Sequence, residues 1–457
     1  MSPRPPNILL IIADDFGVHQ LGCTTPGGTG FFQTPHLDRL AAEGVRFARA
    51  YATAPVCSPS RASLYTGLHP ARLHLTDFIP GSQVTNPPLL TPAWQRGLPV
   101  SAVTLGDALK ACGYATAHFG KWHLAADYNY QPGRPMDPES QGFDEVVVTR
   151  KPAADADPEA DPHHIHTLTT RTIEFVTRTH PQPFFCVLAH NAVHRPEIAP
   201  AALIARHAAR PGADAEVNRP VLAAMIEELD RATGRLLDAL REAGRDRDTL
   251  VIFTADHGAF GASEQRKPLR GANADLYEGG LRVPLLLRWP EQIGAGAVRD
   301  QLVSGADLFP TLLAAAGATI GAAGDGSNLW PAIRDGHHRF GREELCWHYP
   351  HYHHLGLAPA AAIRVGDFKL IEWFESALDS PGAKGPACEL FFLAADPGET
   401  RDLSVEQPAR RDALLHRLRE WRHSVGAQEM QLNPAYDPGA PVWVVPPVDD
   451  RAPLEIS

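Results

Sequence analysis

The 457-residue sequence has few cysteines and no long apolar segment. Its six cysteines show no paired spacing, so the sequence predicts neither a disulfide framework nor a zinc knuckle. No segment approaches the run of roughly 18 apolar residues that is typical of a membrane-spanning helix. We therefore expect no membrane partner.

The sequence is also short of positive charge. It has 42 lysines and arginines against 53 aspartates and glutamates, which gives a net charge of −11. This balance argues against a nucleic-acid partner or an anionic membrane surface. An anionic substrate would need a local cluster of positive charge or a bound metal. With 44% hydrophobic and 21% charged residues, the composition is that of an ordinary globular protein.

The amino terminus lacks the features of a secretion signal. Residues 1–6 contain one basic residue, and an apolar, strand-like run follows directly at 8–12. A signal peptide would place a longer apolar region and a small-residue cleavage site before the folded domain. We therefore expect a cytoplasmic protein from the sequence as written, or a periplasmic or secreted one if a leader is missing from it.

Short apolar runs alternate with helical patterns along the first two thirds of the chain. The runs at 8–12, 184–189, 250–254 and 283–287 are bounded by polar or turn residues, as buried parallel strands are. The segment 219–243 has leucine and isoleucine at helical spacing. This order predicts an α/β fold with a mostly parallel sheet, helices on both faces and a ligand site at the carboxyl ends of the strands.

The pattern changes after about residue 335. Segments 361–374 and 388–393 predict short antiparallel strands, and 408–424 predicts a closing helix. We expect three parts: a large α/β domain at 1–335, an α+β subdomain at 336–430 and a Pro-rich tail at 431–457 that wraps the surface without regular structure.

Two predicted strands end in acidic residues. Asp14 and Asp15 follow the first strand, and Asp256 and His257 follow the strand at 250–254. Each pair alone could be a turn in which an aspartate caps the next segment. If the strand ends converge, the carboxylates and the imidazole can surround one divalent metal ion. Three aspartates suit Ca²⁺, whereas an imidazole is more typical of Mn²⁺ or Zn²⁺ sites.

Other polar residues lie beside predicted strands. Lys121 and His123 follow the run at 115–119, His194 follows the run at 184–189, and Asn273 precedes the strand at 283–287. One such residue alone would more often be packed or solvated. Several at the strand ends of one sheet favour a site for an oxyanion, which needs convergent cations and a proton donor.

The segment Cys57-Ser58-Pro59-Ser60-Arg61 by itself could be a structural cysteine beside a helix start. Together with the other motifs, it resembles the type I, formylglycine-dependent sulfatase family, arylsulfatase-like members of the alkaline phosphatase superfamily. The resemblance covers residues 7 to about 425 and rests on motifs in the family's order. They are Asp14-Asp15, Cys57-x-Pro59-x-Arg61, Gly120-Lys121-Trp122-His123, His194 before Arg195-Pro196, Asp256-His257-Gly258 and Leu276-Tyr277-Glu278-Gly279-Gly280.

The resemblance implies an alkaline phosphatase-like α/β/α sandwich with a smaller C-terminal domain, and it implies hydrolysis of sulfate esters. A dedicated generating enzyme would convert Cys57 to formylglycine. One hydroxyl of the hydrated aldehyde attacks sulfur, and the other later expels sulfate. The implied roles are metal binding for Asp14, Asp15, Asp256 and His257, charge stabilisation for Arg61 and Lys121, base for His123, and acid and substrate contact for His194.

Two positions depart from the family pattern. Many relatives have asparagine where this chain has His257, and the histidine form also occurs in phosphonate and phosphodiester hydrolases of the superfamily. Many relatives have a substrate-binding lysine where this chain has Asn273, which donates a hydrogen bond without a charge. A phosphonate monoester or phosphodiester hydrolase and a catalytically silent relative that binds sulfated glycans therefore remain alternatives.

The segment 347–354 is rich in aromatic residues and histidine. It could pack a subdomain interface, or it could line a pocket where ring faces contact sugars and imidazoles contact hydroxyls. We expect His348 and His351 to bind substrate. Similar runs occur in sulfatases that act on carbohydrates, so we place a sulfated glycan ahead of a small aryl sulfate as the substrate.

Overall fold

The computed structural model describes residues 5–24, 30–127, 130–260, 268–318, 324–336, 338 and 341–447. Its strands follow the alternation that the sequence predicts. They are β1 (Asn7–Ala13), β2 (Val45–Tyr51), β3 (Gln83–Thr85), β4 (Leu89–Leu90), β5 (Ala115–Gly120), β6 (Glu145–Val148), β7 (Phe184–Ala189), β8 (Thr249–Ala255), β9 (Leu285–Arg288), β10 (Ala297–Ser304), β11 (Glu344–Tyr349), β12 (Ala360–Val365), β13 (Phe368–Trp373), β14 (Cys388–Phe392), β15 (Gln431–Leu432) and β16 (Trp443–Val445).

An eight-stranded sheet forms the centre of the molecule. Its order is β10-β2-β9-β8-β1-β7-β5-β6, and all neighbours are parallel except that β9 runs antiparallel to β2 and β8. Every residue of β1, β7 and β8 is buried. This explains their unbroken apolar sequences, because a central strand is covered on both faces. The predicted mostly parallel mixed sheet is confirmed.

The helices connect the strands of this sheet and the elements of the C-terminal region. They are α1 (Pro35–Ala42), α2 (Cys57–Thr66), α3 (Pro70–Leu73), α4 (Leu105–Ala111), α5 (Ile165–Thr177), α6 (Ala201–Ala208), α7 (Pro220–Glu242), α8 (Glu278–Leu281), α9 (Leu308–Ala315), α10 (Trp330–Arg334), α11 (Phe374–Ala377) and α12 (Pro408–Ser424).

The longer helices form two groups around the sheet. Helices α1, α5 and α6 pack against α7, whereas α2, α4 and α9 pack together. The predicted helix at 219–243 is α7, and its buried residues include Leu222, Ile226 and Leu229 at helical spacing. Gly244 follows it with φ +68°, a left-handed conformation that glycine adopts readily after a helix. In the described part of the chain, no helix has the length and apolarity needed to cross a membrane.

A second, antiparallel sheet lies in the C-terminal region. Its order is β11-β12-β13-β14, and α12 packs against β11, β12 and β13. Leu414 and Leu418 of α12 are buried in the same cluster as Ile363 and Leu370 of the sheet. The predicted antiparallel strands and closing helix are confirmed.

The structure corrects the prediction for the start of the tail. Strand β15 pairs with β4, and β16 pairs with β3. The chain after α12 therefore contains regular structure and returns to the first half of the molecule. Residues 448–457 of the predicted tail lie outside the described residues.

Candidate active site

The site lies where four neighbouring strands of the main sheet end. β8, β1, β7 and β5 are adjacent and parallel, so their carboxyl ends lie at one edge. Asp14 directly follows β1, Asp256 follows β8 and Lys121 follows β5. The loop after β7 contributes His194. Residues that are far apart in the sequence therefore meet at one place.

Cys57 begins α2 and lies at the centre of these residues. Its side chain is buried, with Sγ 3.2 Å from Nε2 of His257 and 3.8 Å from Oδ1 of Asp14. Burial raises the pKa of the Cys57 thiol to about 12, with Lys121 opposing the shift and Asp14 adding to it. A thiol with this pKa is protonated at neutral pH, and a protonated thiol is a poor nucleophile.

Arg61 lies one helical turn after Cys57 and is fully buried. Its Nε donates to Oδ2 of Asp256 at 2.9 Å, and its Nη1 donates to the carbonyl oxygen of Lys121 at 2.7 Å. Nη2 lies 3.8 Å from Oδ2 of Asp14. A buried cation needs such partners because its desolvation is costly. Arg61 therefore fixes the start of α2 against the ends of β1, β5 and β8.

Lys121 forms an ion pair with Asp14. Burial alone would lower the pKa of Lys121, but the Asp14 carboxylate raises it above the ordinary lysine value. Burial alone would raise the pKa of Asp14, but Lys121 and then Arg61 lower it. Both groups are therefore charged at neutral pH, and an ammonium group lies close to Cys57.

Asp15 is fully buried on the other side of Asp14. Its Oδ1 accepts a hydrogen bond from Nδ2 of Asn273 at 2.7 Å and lies 3.3 Å from Nδ1 of His257. Among the described residues, no hydrogen-bond donor reaches its Oδ2, and Nε2 of His194 lies 3.8 Å away. Burial raises the pKa of Asp15 well above its usual range, and the charge of Asp14 contributes. A bound cation would satisfy this carboxylate.

The donor set fits a divalent metal ion. Carboxylate oxygens are ligands that Ca²⁺ prefers, and the imidazole extends the fit to Mn²⁺ and Zn²⁺. The structure also brings the ligand atoms of four buried side chains within 4.8 Å of one another. These side chains are Asp14, Cys57, Asp256 and His257.

His123 lies in the loop after β5, with Nε2 2.7 Å from the carbonyl oxygen of Ile79. A carbonyl oxygen only accepts, so Nε2 carries the hydrogen and Nδ1 carries the lone pair of the neutral ring. Burial and then the charge of Lys121 lower the pKa of His123 well below its usual range. The ring is therefore neutral, with Nδ1 as the atom able to accept a proton.

His194 is oriented in a similar way. Its Nδ1 lies 2.7 Å from the carbonyl oxygen of Arg195 and therefore carries the hydrogen. Nε2 is the atom directed towards Asp15. Burial lowers the pKa of His194 well below its usual range, with Lys121 and Lys151 adding to the effect. Nε2 is thus the atom at which His194 can gain or lose a proton.

Six of the residues in this region line a cavity of about 370 Å³. They are Asp14, Cys57, Lys121, His123, His194 and Asn273. The size of this cavity lies within the range of roughly 300–1,000 Å³ that is usual for small-molecule sites. Cys57, Lys121 and Asn273 contribute to its inner wall, and the rings of Phe78 and Phe260 contribute to its apolar wall. The cavity therefore joins a charged floor to an aromatic wall.

The structure corrects the expected positions of two histidines. His348 does not line this cavity, because its Nε2 lies 2.8 Å from the carbonyl oxygen of Gln428 inside the C-terminal region. Nε2 of His351 lies 2.7 Å from Oγ1 of Thr76, and His351 lines a different cavity.

His353 and His354, from the same segment, line the cavity that contains Cys57, and their rings are stacked with centroids 4.3 Å apart.

Two serines beside Cys57 also contribute to the site, although the sequence motifs do not single them out. Ser60 donates a hydrogen bond to the carbonyl oxygen of Asp256, and Ser58 accepts one from the backbone N–H of Ile79 at 3.1 Å. Ser60 lies three residues after Cys57, so the two side chains share a helix face. That helical spacing is the signal that could have identified Ser60, whereas the partner of Ser58 lies in a separate loop.

The mixed sheet and the cluster of carboxylates, basic side chains and a buried cysteine at its strand ends define a hydrolase of the alkaline phosphatase-like fold. The family model described as sulfatase matches residues 6–318, and the model described as N-sulphoglucosamine sulphohydrolase, C-terminal matches residues 274–423. The chain belongs to the sulfatase family. It is therefore an enzyme of the sulfuric ester hydrolase class.

Individual relatives agree with this assignment. The chain is 32% identical to human arylsulfatase A, with 88% of this chain and 83% of the relative covered. It is 29% identical to mouse steryl-sulfatase, with 96% and 84% covered. Among solved structures, Ps i-CgsB superposes with a TM-score of 0.74 at 26% identity, covering 92% of this chain and 93% of that one.

Proposed function

We propose that this enzyme removes sulfate from a sulfated carbohydrate and that formylglycine made from Cys57 is its nucleophile. Two relatives support the carbohydrate. Human N-acetylgalactosamine-6-sulfatase is 32% identical over 73% of this chain. Ps i-CgsB, with a TM-score of 0.73 and 26% identity, was solved in complex with k-i-k-neocarrahexaose. The aromatic wall of the cavity adds support, because ring faces suit sugars.

The observation that carries the proposal is the position of Cys57. Its side chain lies at the floor of the cavity, between the ion pair of Lys121 with Asp14 and the imidazole of His257. Cys57 itself is a protonated thiol in this environment. As formylglycine hydrate, the residue would supply two hydroxyls on one carbon, one to attack sulfur and one to expel sulfate.

The side chains around Cys57 stabilise charge and transfer protons. Lys121 holds a positive charge beside the developing negative charge, and Arg61 fixes the surrounding carboxylates. His123 accepts a proton at Nδ1 when sulfate is expelled. Nε2 of His194 takes up a proton from solvent and passes it to the departing alcohol.

We infer that one divalent metal ion, with Ca²⁺ favoured by the carboxylates, completes the site. Asp14, Asp15, Asp256 and His257 would hold it. When bound, it would polarise the sulfate oxygens and favour ionisation of the nucleophile. Oδ2 of buried Asp15 has no hydrogen-bond partner in the part of the chain that the structure describes, which supports this inference.

Asn273 gives the site less positive charge than the lysine of many relatives would. Its amide donates to Asp15, so it helps to orient that carboxylate while also lining the cavity. A neutral donor binds an oxyanion about half as strongly as a charged one. We therefore expect weaker sulfate binding than in relatives with lysine, and turnover that depends more on Lys121.

The test compares substrates on protein co-expressed with a formylglycine-generating enzyme. We expect sulfate release from a sulfated monosaccharide and from 4-nitrophenyl sulfate, and none from the Cys57→Ala variant. Faster turnover of a phenyl phosphonate monoester or a phosphodiester would identify the alternative hydrolase instead. If the protein carried formylglycine and bound sulfated sugar without hydrolysing it, the catalytically silent alternative would be correct.

A further inference from the structure

Basic side chains line the outer part of the cavity that contains Cys57. Arg150, Lys151 and Arg195 all contribute to its wall, although the protein as a whole carries a net charge of −11. None of the three belongs to the proposed chemistry at the floor. A local positive region on an acidic protein attracts anions to that place.

The acidic residues on the same wall are already paired. Asp127 and Asp137 line the cavity, and both bind Arg134, at 3.0 Å from its Nη1 and 2.7 Å from its Nε. The one guanidinium offsets one of their two negative charges. When Arg134 and the two aspartates are counted together with the three basic residues, the described wall still has a net positive charge.

Arg195 is held in place by an aromatic ring. Its guanidinium carbon lies 4.1 Å from the centroid of Phe260, and both residues line the cavity. In the described part of the chain, Arg195 forms no ion pair with a carboxylate. A guanidinium is planar, and contact of its face with a ring leaves the N–H groups at its edge able to bind the oxygens of sulfate or carboxylate. Arg195 directly follows His194, so it is next to the proposed leaving-group acid.

Lys151 completes the same wall. It is exposed at the cavity mouth, beside the stacked rings of His353 and His354. After burial, its charge is the cause that lowers the pKa of His354, so the ammonium group lies close to that ring. A substrate that reaches Cys57 through this mouth therefore passes the positive charge of Lys151.

We propose that Lys151 and Arg195 form a second anion subsite, so that the preferred substrate carries a further negative group beyond the sulfate ester that is cut. This inference rests on the proposed function and narrows its substrate class. The further group can be a second sulfate or the carboxylate of a neighbouring uronic acid, because both present paired oxygens to a guanidinium.

The test measures kcat/KM on three substrates. They are a monosulfated monosaccharide, the same sugar with a second sulfate, and a monosulfated disaccharide with a neighbouring uronic acid. We expect wild-type protein to prefer one of the doubly charged substrates. Arg195→Met and Lys151→Met should each lower that preference roughly five- to tenfold, through KM, because each removes a charged partner of the second group. The doubly charged substrate whose kcat/KM falls most in these variants identifies the second negative group.

Lys110→Met is the matched control, since Lys110 is an exposed lysine that pairs with Asp144 away from the cavity. It should leave the preference unchanged. Equal loss on singly and doubly charged substrates in the Lys151 and Arg195 variants, or no loss, would overturn the subsite and leave sulfate hydrolysis standing. Wild-type protein that hydrolyses no sulfate ester would overturn the proposed function and the subsite with it.

Discussion

Replacing Tyr349 by phenylalanine should impair a loop that orients His123. The Tyr349 hydroxyl donates to Oδ1 of Asp77 at 2.5 Å, and the same oxygen accepts from the backbone N–H of Phe78 at 2.8 Å. The carbonyl oxygen of the next residue, Ile79, fixes the tautomer of His123. Tyr349, in the C-terminal region, is thus connected to the proposed base through the Asp77 side chain and the backbone of residues 78 and 79.

The stability lost in Tyr349→Phe depends on the burial of the hydrogen bond that is removed. Tyr349 and Asp77 are both buried, and a hydrogen bond to a charged group contributes about 1.5–3 kcal/mol. Burial raises the pKa of Asp77 to about 7 from a usual 3.8, with Tyr349 opposing the shift. The pKa of Asp77 is therefore higher in the folded state than in the unfolded state. The stability that protonated Asp77 contributes is present below about pH 4, and it is lost as the pH rises through about 7.

Tyr349→Phe should therefore lower the free energy of unfolding more at about pH 8 than at about pH 5, because only the ionised carboxylate needs the lost donor. We also expect kcat to fall roughly tenfold, since small displacements of a catalytic group are costly. Urea unfolding at both pH values and steady-state kinetics on an aryl sulfate measure the two effects.

Tyr352→Phe is the control for Tyr349→Phe. Its hydroxyl donates to Glu375 at 2.8 Å and accepts from the backbone N–H of Leu89 at 3.2 Å. Neither bond involves the loop that contains Asp77 and Ile79. It should lose stability but keep kcat. Equal kcat in the two variants, or a stability loss in Tyr349→Phe that does not depend on pH, would refute the reasoning.

Four further predictions concern the residues around Cys57. His123→Ala in protein shown to carry formylglycine should lower kcat by at least about a hundredfold, and unchanged turnover would exclude His123 as the base. Asn273→Lys should raise sulfate ester turnover by adding a charge beside Asp15, whereas a loss would mean that the pocket requires the amide. Chelator treatment should lower the melting temperature and abolish turnover, and Ca²⁺ should restore both, because a ligand that binds only the folded state stabilises it. Asp15→Asn should show a smaller thermal response to Ca²⁺, and an undiminished response would place the ion elsewhere.

The floor of the site was predictable because it depends on strand order. Asp14 and Asp256 each end an apolar run, and parallel neighbouring strands end at the same edge of a sheet. Arg61 shares a helix with Cys57, so its proximity follows from helical spacing. The roles of these residues came only from the resemblance to a family, because spacing does not reveal that a cysteine is a precursor.

The wall of the cavity was not predictable in the same way. His348 lies on β11 and points to a carbonyl of the C-terminal region, whereas His353 and His354 follow that strand and reach the cavity. Which side of an aromatic run faces a pocket is set by packing between distant elements. Residues 151–162 are rich in proline, alanine and aspartate, which predicts a surface loop. Lys151 of this segment is exposed, but it also lines the cavity.

The strands after α12 were also not predictable from the sequence. β15 and β16 have two and three residues, too few for any periodic pattern to be recognised. Their partners, β4 and β3, come from the first hundred residues of the chain. Pairing over such a distance depends on the assembled fold.

The central claim is that Cys57 is the precursor of the nucleophile. Mass spectrometry of the peptide that contains Cys57, on protein purified from its native host and assayed in parallel for sulfate release, tests this most directly. The account predicts formylglycine at position 57, with sulfate ester turnover proportional to the converted fraction. An unmodified thiol in protein that hydrolyses sulfate esters at full rate would contradict it.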